Sequence, residues 1–200
     1  MRNYRRLTSH TRILTDKPRY RKDESMTQAV FLDRDGVINE VLTERVTFVN
    51  EPGDFHLLDG VGEAIKLLHD KNYFVFVVTN QGGIGLGYMT KAALKMVHEQ
   101  MQADLAQYGA VIDDIAYCPH APHAGCFCRK PEPQMLLDLA AKHNIDLSES
   151  YMIGDREPDI SAGKRAGVKT VLISQKERHT ASADMLFPDL FTFTSWLDDA

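Results

Sequence analysis

Asp33 and Asp35, in FLDRDGVIN, stand two residues apart after a short apolar run, and Gly36 then permits a sharp turn. Side chains at i and i+2 of an extended segment face the same way, so both carboxylates can address one reacting centre. One can act as a covalent nucleophile, giving an aspartyl-phosphate, while the other protonates the leaving oxygen and later activates water. Taken alone, the pattern fits a solvated Asp/Gly turn equally well. Thr79 closes VVTN and is followed by Asn80, Gln81, Gly82 and further glycines. A hydroxyl and closely approaching backbone N–H groups there suit an anion, although the spacing is not the dinucleotide fingerprint G-x-G-x-x-G. Lys130, in CRKPEP, offers a point charge for phosphoryl oxygens; a lone lysine is more often a solvated surface residue. Asp155, in IGDREPDI, joins Asp33 and the backbone carbonyl of Asp35 as hard oxygen ligands suited to Mg²⁺, and the same stretch supplies Asp159. Phosphoryl transfer needs such positioned cations.

All three cysteines of the 200-residue chain lie between Cys118 and Cys128. Cys118, His120, Cys126 and Cys128 make two close ligand pairs, and three thiolates with one imidazole suit a closed, structural, tetrahedral Zn²⁺ site. The other reading is free thiols, reactive or buried. His123 breaks the pairing and is expected on the loop surface. Arg129 and Lys130 follow Cys128 directly, so a bound metal would fix where two cations point.

Positioning these groups requires a scaffold, and the chain alternates in a simple way. Strand-like runs at 29–33, 74–80, 112–118, 150–155 and 168–174 are separated by helical periodicity at 59–72, 91–109, 133–144 and 158–167, with a short edge strand and a final helix after residue 183. Such alternation implies a parallel sheet covered on both faces, with a ligand site outside the carboxyl ends of the strands. Asp33, Asp35, Thr79, Asn80, Asp155 and Asp159 should then share one rim.

The net charge of −5 hides an asymmetry: residues 1–25 hold eight Lys/Arg against three Asp/Glu, whereas the rest is acidic. Residues 1–25 read as a disordered basic extension, with a transit peptide or an arm for anionic surfaces as sharper readings, and residues 26–200 as one domain. No run approaches the roughly 18 apolar residues of a membrane span. The expectation is a soluble, cytoplasmic chain without membrane or nucleic-acid partners. A nucleic-acid-binding zinc module is opposed by the acidic body and by a knuckle too short for a groove-reading helix.

Taken in order, Asp-x-Asp-Gly, Thr-Asn, Lys-Pro and Gly-Asp-x-x-x-Asp resemble the haloacid dehalogenase superfamily of phosphatases over residues 29–160. The resemblance implies Asp33 as nucleophile, Asp35 as general acid and base, and Thr79 and Lys130 on the phosphoryl group. It further implies Asp33, Asp35 and Asp155 as Mg²⁺ ligands, with Asp159 in support. The knuckle ending in CRKP is similar to those of the heptose 1,7-bisphosphate phosphatases and the histidinol-phosphate phosphatases. Both groups carry a zinc loop in place of a cap domain. The fold implied is a capless, Rossmann-like three-layer α/β sandwich with a mainly parallel central sheet, its rim formed by residues 40–56 and 118–131. A phosphomutase is disfavoured, because mutases need a cap to retain their intermediate. TNQGGIGLGYMT is closer to the heptose enzymes, whereas the short spacer from His120 to Cys126 is closer to the histidinol ones. Arg156 stands where many heptose enzymes have Lys. A small phosphorylated sugar bound through Asn80, Gln81, Gly82, Arg129 and Arg156, Mg²⁺, structural Zn²⁺ and a monomeric state complete the expectation, with a broad-specificity phosphatase as the alternative.

Overall fold

The computed structural model describes residues 27–175 and 182–199; the expected basic extension lies outside the described residues. Six strands, β1 (Ala29–Leu32), β2 (Phe74–Asn80), β3 (Asp114–Cys118), β4 (Tyr151–Gly154), β5 (Lys169–Ile173) and β6 (Met185–Phe187), alternate with helices. These are α1 (Val61–Asp70), α2 (Gly82–Gly85), α3 (Lys91–Ala106), α4 (Gln134–His143), α5 (Glu157–Ala166) and α6 (Leu190–Asp199). The strands form one sheet in the order β3-β2-β1-β4-β5-β6, parallel at every pairing.

Alternation along the strands divides the core into two. Val30, Leu32, Val75, Val77 and Ile153 face α1, α3 and α6, while Ala29, Phe31, Phe76, Val78 and Met152 face α4 and α5. The apolar stripe of α1, Val61, Ala64, Ile65 and Leu68, recurs at helical spacing and is buried throughout. Each large side chain of this kind stabilises by roughly 1.5–3 kcal/mol, enough to seat the helix. Three layers result, as expected, with the sheet wholly parallel rather than mainly so.

The chain builds outward from β1 to β2 and β3, then returns to β4 on the opposite side of β1. This reversal opens a crevice at the carboxyl ends of β1 and β4, where open α/β sheets bind their ligands. Directly after Gln81, Gly82–Gly85 forms a short helical turn. Its backbone closes through Leu86 N–H to Gly82 O and Tyr88 N–H to Gly83 O. Gly85 lies so close to the cysteine knuckle that an added Cβ would sit 2.3 Å from Ala121 N.

Candidate active site

Strand β1 is buried on both faces and delivers Asp33 at its carboxyl end, where Asp33 N–H extends the ladder to Ile153 O. Lys130 arrives from the far side of the crevice. Its backbone is held by Asn80 at the end of β2: Asn80 Nδ2 donates to Lys130 O at 3.0 Å, and Lys130 N–H donates to Asn80 Oδ1 at 3.0 Å. The ammonium group is thereby fixed 2.9 Å from Asp33 Oδ1 and 2.6 Å from Asp159 Oδ1, and donates to Val78 O. Lys130 is thus a buried residue, not a solvated one. Asp159, in the first turn of α5, also accepts from Arg156 N–H. It packs so tightly on the end of β4 that a Cβ on Gly154 would lie 2.1 Å from its own.

One cation between two carboxylates leaves excess negative charge in a dry place. Burial pushes Asp33 up to about 6 against the pull of Lys130, and Asp159 and Asp35 add to the rise. Lys130 is raised too: burial opposes its charge, but the attraction of Asp159 and Asp33 prevails. Asp35 is treated in the opposite way. Burial alone would raise it, but the Arg34 guanidinium and hydrogen bonds from Arg34, Asn39 and Gln81 hold it below the ordinary carboxylate range.

Asp155 follows β4 and faces the same crevice. Its Oδ1 is buried without a hydrogen-bond partner among the described residues, and its carboxyl is raised by burial and by Asp33. Gly36, at φ +92°, lets the backbone after Asp35 approach Asp155: a Cβ there would lie 2.5 Å from Asp155 Oδ2. Oxygens of Asp33, Asp155 and Asp159 lie within 4.8 Å of one another. Converging hard donors and an orphaned acceptor fit a divalent cation with oxygen preference. The carboxylate of Asp35 is not in this group, being turned onto Arg34.

The remaining candidate contacts divide into two sets. Thr79 is buried beside Gln81, whose Nε2 donates to Thr79 Oγ1 at 2.8 Å and to Asp35 Oδ2 at 3.2 Å. The Asn80 and Gln81 amides therefore engage the protein itself. Gly82, Arg129 and Arg156 face outward. Arg129 lies over Gly82, with Nη1 3.2 Å from the site of an added Cβ, and Arg156 is half exposed with Nε 3.4 Å from Asp155 Oδ2. A cleft of about 990 Å³ opens between residues Gly36, Asn39, Glu40 and Thr43 on one side and Asp155 and Arg156 on the other.

Cys118, His120, Cys126 and Cys128 come together as spacing required. Cys128 Sγ lies 3.0 Å from Cys118 Sγ and 3.7 Å from Cys126 Sγ, and His120 Nδ1 lies 3.2 Å from Cys128 Sγ. Donors around a tetrahedral zinc with bonds of about 2.3 Å would stand roughly 3.5–3.8 Å apart, so the set is near that size. Burial and the two neighbouring thiols push Cys128 up to about 12. His123 is exposed and outside the cluster.

Three polar residues under the site escaped the sequence reading: Arg34, Asn39 and His98. Their signal was faint. Arg34 between two aspartates reads as an exposed charge, yet it is completely buried.

Comparison with known proteins gives the same picture. Residues 127–191 match the family model described as HAD-hydrolase-like. The chain is 41% identical over 165 residues to the D-glycero-β-D-manno-heptose-1,7-bisphosphate 7-phosphatase of Haemophilus ducreyi, covering 78% of this chain and 88% of that protein. It is 32% identical to the D-glycero-α-D-manno-heptose-1,7-bisphosphate 7-phosphatase of Photorhabdus laumondii, covering 86% and 97%. Among solved structures, the D,D-heptose 1,7-bisphosphate phosphatase of Bordetella bronchiseptica, complexed with magnesium and phosphate, superposes with a TM-score of 0.78 at 32% identity, covering 86% and 99%. This chain is a phosphoric monoester hydrolase that belongs to the haloacid dehalogenase-like hydrolases and, within them, to the heptose 1,7-bisphosphate 7-phosphatase family.

Proposed function

We propose that the protein releases the C7 phosphate of D-glycero-D-manno-heptose 1,7-bisphosphate, leaving the 1-phosphate. The supporting observation is the pairing of Lys130 with Asp33 at 2.9 Å in a buried crevice, a cation already stationed where a phosphoryl group would meet a carboxylate. Asp33 attacks phosphorus in line, and the bond to the C7 oxygen breaks. The departing alkoxide takes a proton from Asp35. Water then attacks the aspartyl-phosphate, Asp35 accepts its proton, and phosphate leaves Asp33. In the free site Asp35 is held ionised, the form needed for the second step; an arriving phosphoryl dianion, as a like charge, favours the protonated form needed for the first.

Thr79 and Lys130 hold the equatorial oxygens. Asn80 acts by fixing Lys130, and Gln81 by joining Thr79 to Asp35. Gly82, Arg129 and Arg156 lie on the outer side, where the sugar and its second phosphate would meet them. Asp33, Asp155 and the backbone carbonyl of Asp35 would hold Mg²⁺, with Asp159 in support. When bound, the ion neutralises charge on the phosphoryl group. Zn²⁺ on Cys118, His120, Cys126 and Cys128 would be structural, since four protein ligands complete its shell.

Phosphate release from both heptose bisphosphate anomers, histidinol phosphate and simple sugar phosphates tests this reading. A kcat/KM highest for a heptose bisphosphate is expected. Preference for histidinol phosphate, towards which the short knuckle spacer points, would reassign the substrate, and equal slow release from all would indicate broad specificity.

A further inference from the structure

Arg34 has 0% exposure, the lowest of any charged side chain among the described residues, and it stands between the two motif aspartates. Removing a guanidinium from water is costly, and an apolar side chain of similar volume is often as stable in its place. Fold stability is therefore a poor reason for it. What the guanidinium does is grip one group. Nε and Nη2 donate to Asp35 Oδ1 at 3.0 and 2.8 Å, and Nη2 also reaches Oδ2 at 3.0 Å. Asn39 Nδ2 donates to Oδ1 at 3.0 Å. Nη1 is buried without a hydrogen-bond partner among the described residues, as is Nε2 of His98 on α3, whose imidazole is close enough to feel the arginine's charge. The backbone joins in, because Arg34 O accepts from Ile38 N–H and Asn39 N–H and closes the loop on itself.

We infer that Arg34 is a positioning residue: from beneath the site, out of reach of substrate, its planar fork fixes the carboxylate of Asp35 against the leaving-group oxygen. The inference rests on the proposed role of Asp35 as proton donor. It separates two kinds of ester. An alkyl phosphate expels a basic alkoxide that needs the proton, whereas p-nitrophenyl phosphate expels a stable phenoxide that does not.

The test measures kcat/KM for heptose 1,7-bisphosphate and p-nitrophenyl phosphate in the wild type, Asp35→Asn, Arg34→Met and Arg34→Lys. Both values come from the same preparation, so an unfolded fraction lowers them alike and leaves their ratio unchanged. General acid catalysis is worth roughly 10²–10⁴-fold, so Asp35→Asn should lose about that on the alkyl ester and less than about tenfold on the aryl one. Arg34→Met should shift the ratio in the same direction by roughly 10–100-fold, and Arg34→Lys, which keeps the charge without the fork, should also shift it. A ratio unchanged in Arg34→Met, or restored by lysine, would overturn the positioning role while leaving that of Asp35 standing. A ratio unchanged in Asp35→Asn would overturn the acid role and this inference with it.

Discussion

Lys130 Nζ sits 2.6 Å from Asp159 and 2.9 Å from Asp33, with its side chain 1% exposed, so a single ammonium holds two carboxylates together in a place almost free of water. Removing one partner of a buried ionic group typically costs about 3–5 kcal/mol, because the remaining charges stay desolvated. Lys130→Met should lose stability of that order at pH 7 in urea unfolding, and kcat/KM should fall by at least about 10². The stability deficit should shrink at pH 5, since Asp33, already pushed up to about 6, then takes up a proton and relieves the repulsion. Equal deficits at both pH values would count against the caged pair.

Asp33 itself should work against the fold. Its folded pKa of about 6 lies above the usual 3.8, so between those values the folded chain keeps a proton that the unfolded chain has lost. Stability therefore falls as pH rises through that window, and the full penalty persists above it. Asp33→Asn should be inactive yet more stable than wild type by roughly 1–3 kcal/mol at pH 7.5 in Mg²⁺-free buffer. The gain should disappear as the pH approaches 4. Unfolding curves across pH 4–8 check both the sign and the window.

Much of this arrangement was legible because it depends on where strands end. Asp33 and Asp155 each follow a buried β-strand and Thr79 lies at the end of one, and a parallel sheet brings such ends to one edge. The cysteine knuckle was legible for another reason, since its ligands are local in sequence. What escaped depends on pairings between distant residues. Asn80 with Lys130 and Gln81 with Asp35 join residues about fifty and forty-six apart, so two amides expected to meet substrate bond within the protein instead. The buried state of Arg34 was hidden similarly, for composition says nothing about which side of a turn a charge enters. The helical turn at Gly82–Gly85 reflects contact with the knuckle rather than helix propensity, glycine being a poor helix former.

The knuckle should act on the reaction through the pair that follows it. Arg129 Nη1 donates to His120 O at 3.4 Å and lies over Gly82, so the knuckle backbone helps to place the rim cation. Elemental analysis should find one zinc per chain. Cys128→Ser should raise KM for a bisphosphate by roughly tenfold or more while changing kcat less, the pattern of a lost binding contact. A variant that loses zinc but keeps its KM would separate the metal from the site.

Phosphorylation of Asp33 is the step on which the proposed reaction depends. Mixing excess enzyme with heptose 1,7-bisphosphate, quenching in acid within the first turnover and mapping peptides by mass gives the most direct answer. The prediction is one phosphoryl group on the peptide carrying Asp33 in the wild type, formed far more slowly in Asp35→Asn, where the C7 alkoxide is no longer protonated as it leaves, and absent from Asp33→Asn. Turnover with no phosphorylated protein at any quench time, or a phosphoryl group on another residue, would contradict it.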